Sequence, residues 1–453
     1  MLNHLIFPGR KARASFSNMT TNSNLEPNTR RGHSQVTRES IIDLIGLIVI
    51  AGFALAVIYH YYLGTYSGLG YPYNTFLFRP EDHFNDFKNG LRTIDPSLPG
   101  PDWDPGLRHP IWKVGYPWPF TCLLHYPFLP FGLSWGTFLW LGLFIAVFLA
   151  WCVRHLKGFT PVVTVRNVLV FSFLTYPFLF ELDRANPEMF VFIFLAAFFV
   201  CYATPRHHLG LVALAAAIAM KSFPGVFLVL FLCDRRWKDV LLVGALAVGI
   251  NLASAAVLPG GFATNMERWL CQGPSIYQSQ MVIGNGGLMF GNSLWGVGKV
   301  AMGTLYPLLD PPSSMSAALT ELQLPYLLAG FAAFALLALY VVRFEQVWWK
   351  RVALLSFTMI LLPFVSADYR LLHVFFPLFM FINSEERGRF DKFYTIMFAL
   401  LLIPKGYVHL YFAREATIQI ILNPLIMVSM IFAIIWEGLH PRVERKSEVP
   451  VES

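Results

Sequence analysis

The sequence predicts an all-α polytopic membrane protein with about 12 transmembrane helices and a long first extracytoplasmic loop carrying interfacial helices. Three observations lead there. Of its 453 residues, 56% are hydrophobic and only 13% charged, whereas a soluble domain carries roughly 25% charged residues. Apolar runs close to the roughly 20 residues that cross a hydrocarbon core recur along the chain. The lysines and arginines between those runs fall on one side once the N-terminus is placed inside, as the positive-inside rule requires. The formal charge of +7 therefore orients helices. No basic stripe with interleaved aromatics is present, so nucleic acid is not an expected partner.

Residues 1–39 are polar and include Arg10, Lys11, Arg13, Arg30 and Arg31. They show no apolar segment leading to a cleavage site and read as a disordered cytoplasmic tail. The first span covers residues 41–63. Residues 64–134 form the first extracytoplasmic loop. Its first part is rich in Pro, Gly, Asp and aromatics, and its apolar, proline-interrupted stretch 119–131 lies at the interface. Further spans are expected near 135–154, 161–179, 187–203, 207–220, 224–233, 238–258, 323–343, 350–365, 371–384, 391–404 and 417–437. Pro224 splits two short segments in the manner of broken helices that line a cavity. Residues 259–292 are an outer loop, and 293–306 a half-buried helix. Inside lie Arg154 and Lys157, Arg206, Arg235, Arg236 and Lys238, then Arg343, Lys350 and Arg351, and Arg387, Arg389 and Lys392. The tail 439–453, with Arg442, Arg445 and Lys446, is cytoplasmic as well.

This topology gathers the unusual polar clusters at the outer ends of helices, which points to one extracytoplasmic active site. Asp82 and Asp86 are four residues apart and would share a face of a helix opening at Pro80. A carboxylate at a cavity mouth can take a proton from a hydroxyl; a solvated acidic helix start is the plainer alternative. Asp183-Arg184-Ala185-Asn186-Pro187-Glu188 holds more polar groups than a turn requires. Asn186 and Glu188 suit a helix cap, which leaves Arg184, whose fork of donors fits a phosphate. Lys221 ends the apolar run 211–220, where a lysine either faces a cavity or a partner or snorkels to the interface. Ser366-Ala367-Asp368-Tyr369-Arg370 and His373 form another outer turn. Asp368 and Arg370 either pair with each other or, with His373, hold a sugar or phosphate. Asn285, Asn292 and Ser293 sit in a Gly-rich loop, where they either bond a polar ligand or serve the loop itself. Asp102-Trp103-Asp104 spells the DxD of nucleotide-sugar transferases, but in a Pro-rich outer loop rather than a nucleotide-binding fold. The five cysteines show no zinc-type spacing, and no cofactor motif occurs.

Several segments, taken in order, resemble the GT-C glycosyltransferases of family 87. They are Asp86-Phe87 after the first helix, Tyr116-Pro117-Trp118-Pro119, the Asp183–Glu188 turn, AAAIAMKSFPGVFLVLFLCDRRW over 215–237, GNSLWG over 291–296 and LLPFVSADYRLL over 361–372. The likeness covers about residues 40–385, and its most specific piece is Lys-x-x-Pro followed by Arg-Arg-Trp. Asp183-Arg184-Ala185-Asn186 stands where the family usually has Gly-Gln-x-Asn, and Gly291-Asn292-Ser293-Leu294 where it has Asn-Gln-Ser-Leu; both departures bear on the sugar carried.

The resemblance implies a GT-C-like transmembrane domain over 40–438 and, by analogy with polyprenyl-phosphate-mannose-dependent α-1,2-mannosyltransferases, an inverting hexosyltransferase. Asp86 would be the general base, with Asp82 as a second carboxylate. Lys221, Arg184, Asn186, Asp368, Arg370 and His373 would hold the donor's phosphate or sugar. The implied partners are a polyprenyl-phosphate sugar donor, a glycan or glycolipid acceptor and membrane lipids, with no metal or other cofactor. The expected location is the plasma (inner) membrane, with both termini cytoplasmic and the active site outside. The competing reading is a polytopic transporter or lipid flippase, which should show internal repeats and polar groups at the bilayer midplane.

Overall fold

The computed structural model describes residues 37–95, 98, 118–284, 287–305, 315–407 and 416–440. The tail 1–36, the Asp102-Trp103-Asp104 and Tyr116-Pro117 segments, Asn285 and residues 441–453 lie outside the described residues. Within them the chain is helical, without a named strand. The helices are α1 (Arg38–Thr65), α2 (Asn85–Ile94), α3 (Pro119–His125), α4 (Gly132–His155), α5 (Pro161–Phe173), α6 (Tyr176–Arg184), α7 (Glu188–Cys201), α8 (His207–Met220), α9 (Leu228–Cys233), α10 (Trp237–Val257), α11 (Phe262–Glu267), α12 (Gly273–Tyr277), α13 (Leu294–Leu305), α14 (Met315–Arg343), α15 (Trp348–Leu361), α16 (Phe375–Asn383), α17 (Asp391–Leu402) and α18 (Gln419–Leu439).

Among the described residues five helical stretches are long and apolar enough to cross a membrane: 38–65, 119–155, 237–257, 315–343 and 419–439. A sixth arises if α5 and α6, bent by 50° at their break, count as one span. The other predicted spans are present as shorter apolar helices. Three boundaries differ from the sequence reading. The interfacial stretch 119–131 runs on into α4, with Gly132 at φ +66° marking the joint. The expected span 161–179 breaks near Leu174, and Pro177 opens a new helix that carries on to Arg184, so the acidic residues 181 and 183 sit on a helix rather than in a turn. The outer loop 259–292 is largely a winding helix from Phe262 to Ile283.

The core is aromatic. Trp140, Phe144 and Phe148 of α4 are fully buried and pack against Phe190, Phe178 and Phe375 of neighbouring helices, with ring centroids 4.4–5.3 Å apart. Such pairs add to the area they bury. Close backbone approach does the rest: a Cβ on Gly52 would meet Ile403 at 2.6 Å, so only glycine lets α1 lie against α17. At one end of the bundle Arg38 donates to the carbonyls of His155 and Lys157, and Asn383 to His155 O. Lys350 pairs with Glu437 at 2.9 Å on α15 and α18. The opposite ends of these helices hold the polar layer described next.

Candidate active site

α6 and α7 meet at Ala185, whose φ of +50° is a left-handed conformation that a residue with a Cβ keeps only where its surroundings hold it. What holds it is a chain of polar contacts spreading from Asn186. Asn186 Oδ1 accepts from the Glu188 amide at 2.9 Å, capping α7, and from Lys221 Nζ at 3.1 Å. Its Nδ2 donates to Asp86 Oδ2 at 2.6 Å. Arg184 pairs with Asp86 Oδ1, donates to the Asp82 carbonyl at 3.2 Å and lays its guanidinium 4.1 Å from the centre of the Phe78 ring. Lys221 Nζ lies 2.5 Å from Glu188 Oε2, and His373 Nε2 lies 2.5 Å from Glu188 Oε1. Asp86, Arg184, Asn186, Lys221, Glu188 and His373 are thus one continuous network. Its inner end is sealed, with Glu188 and His373 at 0% exposure, while the Asp86 and Arg184 side chains are each 14% exposed.

The local sequence explains how these groups converge. The Phe84 amide donates to Asp183 O at 2.7 Å, and Asp183 Oδ2 accepts from the Phe78 amide at 3.1 Å. His83 Nε2 lies 3.0 Å from Asp183 Oδ1. These contacts tie the segment before α2 to α6 and force Phe84 to φ +61°. They also overturn the expected shared face of Asp82 and Asp86. Asp82 ends a separate 3₁₀ turn (Pro80–Asp82), its carboxylate accepts from Asn85 Nδ2 at 3.0 Å, and of the two carboxylates only that of Asp86 joins the network. α2 then packs through Gly90, where an added Cβ would fall 2.2 Å from the buried His125 ring. Lys221 is the cap residue that ends α8 in an extended conformation before the Phe223–Phe227 turn. Its charge goes to Glu188 and lies 5.0 Å from the Tyr369 ring centre, which is not a snorkelling geometry.

Asp368 belongs to a neighbouring cluster. It is fully buried and accepts from Tyr176 Oη at 2.5 Å, Asn292 Nδ2 at 2.8 Å and Gln419 Nε2 at 2.7 Å. Asn292 Oδ1 in turn accepts from Asn423 at 2.7 Å. Burial raises the Asp368 carboxyl to about 6 and lowers the nearby Lys405 ammonium to about 7. Asp368 has no contact with Arg370. The Arg370 guanidinium lies 3.9 Å from the centre of the Phe223 ring, and its Nε and Nη1 are buried without hydrogen-bond partners. Asn292 and Ser293 serve the loop: the Asn292 amide donates to Ser366 O at 2.7 Å, and Ser293 Oγ to Phe364 O at 3.0 Å.

From the sequence alone Glu188 is a helix cap, and Tyr176, Gln419, Asn423 and Lys405 carry no assigned role. The available signal was the same for each: an isolated polar side chain in an apolar run, which is costly unless it has partners. Among the described residues no group of three His, Cys, Asp or Glu side chains is placed to hold a metal ion.

Next to the network, an apolar groove of about 290 Å³ runs between α14 and α15. Phe223, Val226, Tyr326, Phe331, Phe334 and Met359 are among its walls. Phe331 is 72% exposed at its edge. Phe223 is shared, since its ring lines the groove and carries the Arg370 guanidinium.

The family model for glycosyltransferase family 87 matches residues 116–367, more than half of the chain. The protein belongs to glycosyltransferase family 87. It is therefore a glycosyltransferase, and a sugar donor and an acceptor are its substrates. No curated protein and no solved structure matches the chain. Arg184, Asn186, Glu188 and Lys221 fall inside the matched segment; Asp82 and Asp86 precede it, and Asp368, Arg370 and His373 follow it.

Proposed function

We propose that this glycosyltransferase moves a mannose-like sugar from a polyprenyl-phosphate donor to a glycan or glycolipid acceptor, with inversion and with Asp86 as general base. The reaction takes place at the extracytoplasmic face of the plasma membrane, in a GT-C-like bundle of about twelve crossings with both termini cytoplasmic. One observation carries the reading: a cation-bearing polar network and an apolar groove meet at Phe223, whose ring centre lies 6.0 Å from Lys221 Nζ and 3.9 Å from the Arg370 guanidinium. A head that is charged and a tail that is hydrocarbon fit that junction, whereas a nucleotide sugar has no use for the groove.

The chemistry follows from the positions. Asp86 is at the accessible end of the network. A carboxylate has about four lone-pair sites, so Asp86 can accept an acceptor hydroxyl while still bound by Arg184 and Asn186. The hydroxyl proton goes to Asp86, the acceptor oxygen attacks the anomeric carbon from the face opposite the phosphate, and the bond from that carbon to the phosphate oxygen breaks. Polyprenyl phosphate leaves with the electron pair. Lys221 and Arg184 stabilise the charge that develops on it, and Arg370 adds two unpartnered donors beside Phe223. Asn186 orients Asp86 and Lys221 at once. Asp368 and Asp82 act at one remove, fixing the loops that carry Arg370 and Asp86.

Purified protein in nanodiscs, given a panel of radiolabelled polyprenyl-phosphate sugars and nucleotide sugars, tests the donor class. Transfer from a lipid-linked donor alone supports the reading. Transfer from a nucleotide sugar alone overturns it, and movement of lipid across vesicles without transfer favours a flippase.

A further inference from the structure

Among the described residues Glu181 stands apart from every other acidic residue. It is 0% exposed, and neither carboxylate oxygen has a hydrogen-bond partner. The backbone amide that acts on it, that of Met189, already donates to Asn186 O at 3.2 Å. Burying a carboxyl group without hydrogen-bond partners is costly, and such groups persist where something else requires them. Glu181 lies on α6 one turn before Arg184, so the two share a face. Its carboxylate is within electrostatic reach of Asp86, Glu188 and Lys221, and Tyr369 is within reach of Glu181, Asp86, Glu188 and Arg370 together. Glu181 is therefore inside the network and supplies no bond to it.

We infer that Glu181 is the sugar-recognition residue of this site, its two free carboxyl oxygens hydrogen-bonding neighbouring hydroxyls of the donor hexose. The inference rests on the donor reading above and deepens it. The division of labour follows from charge. Arg184, Lys221 and Arg370 present donors to the phosphate, while a hexose presents hydroxyls and needs acceptors. Asp86 and Glu188 already accept from Arg184, Asn186, Lys221 and His373, and Glu181 is the carboxylate with its full accepting capacity left. A sugar lacking the matching hydroxyls leaves the carboxylate unsatisfied, which is how a buried acceptor discriminates.

The test uses the full chain in nanodiscs, Glu181→Leu and Glu181→Gln variants, and two probes: polyprenyl-phosphate-mannose and polyprenyl phosphate without sugar. The expected result is that Glu181→Leu is at least as stable as wild type, because an unpartnered buried polar group is gone. It binds the sugar-free lipid as wild type does and the sugar-bearing lipid about 3- to 10-fold more weakly, the worth of a neutral hydrogen bond. Glu181→Gln, with one accepting oxygen, falls between. A variant that binds both lipids like wild type, or loses both equally, overturns the inference while leaving the donor reading standing. So does a Glu181→Leu protein that is destabilised while Glu181→Gln binds and transfers normally, since that pattern belongs to a structural role. Wild-type protein that binds neither lipid overturns the donor reading, and the inference with it.

Discussion

Replacing Glu188 by glutamine keeps the shape of the side chain and removes one charge from the sealed end of the network. Glu188 is fully buried, with Lys221 2.5 Å from one oxygen and His373 2.5 Å from the other. Lys221 is 13% exposed and has no other carboxylate bonded to it. Breaking a buried pair from one side typically costs about 3–5 kcal/mol, because the remaining charge keeps its desolvation penalty without its partner. Removing both members with well-shaped neutral groups costs far less. Glu188→Gln and Lys221→Met should therefore each destabilise the protein by about 3 kcal/mol or more. The double variant should lose no more than either single one, leaving a coupling energy of about 2 kcal/mol or larger. Reversible unfolding in mixed micelles by SDS titration measures all three. Single-variant losses below about 1 kcal/mol that simply add would refute the view that Asn186, Lys221, Glu188 and His373 form one desolvated network.

Three further outcomes follow from the same geometry. Lys221→Ala should raise the donor KM and lower kcat while leaving acceptor KM nearly unchanged; steady-state kinetics with each substrate varied separately checks this, and an equal effect on both substrates removes Lys221 from the phosphate. Gly90→Ala drives a Cβ into the His125 ring, costs about 1–3 kcal/mol by overpacking and displaces α2 with Asp86, so thermal stability and transfer should fall together and recover in Gly90→Ala/His125→Ala. The Asp368 carboxyl is raised from 3.8 to about 6, so its favourable contribution is complete below pH about 4 and is lost as pH rises through about 6, a span worth about 3 kcal/mol. Wild-type stability should thus decline across that window, and the decline should vanish in Asp368→Asn.

Much of the arrangement could be read from the chain because its signals are local. Apolar runs, prolines and basic loops give the helices, and the polar clusters at helix ends include most of what the structure brings together. Arg184 was legible as a charge that helix capping leaves unexplained, while Asn186, Asp86 and Lys221 stood out as polar groups for which a cap, a helix start or snorkelling was the plainer alternative. What escaped was pairing. Asp82 and Asp86 are separated because a residue about a hundred positions away, Asp183, takes the Phe84 amide and breaks the helix. Asp368 looked like a partner for Arg370 two residues on, yet its partners come from α6, the loop before α13 and the start of α18. The part played by Glu188 was hidden behind a sufficient local explanation, since a glutamate at a helix start is already favourable. The bend between α5 and α6 likewise depends on packing of Phe171 and Phe178 against α4 and α16, which no window of sequence displays.

The central claim is that Asp86 removes the acceptor proton in transfer from a lipid-linked sugar. Transfer of radiolabelled sugar from polyprenyl phosphate by wild-type and Asp86→Asn protein, matched for expression and thermal stability, tests it most directly. The account predicts turnover by wild type and a loss of about 10²- to 10⁴-fold in the variant, the usual worth of general base catalysis. Substantial turnover by a folded Asp86→Asn protein would contradict it.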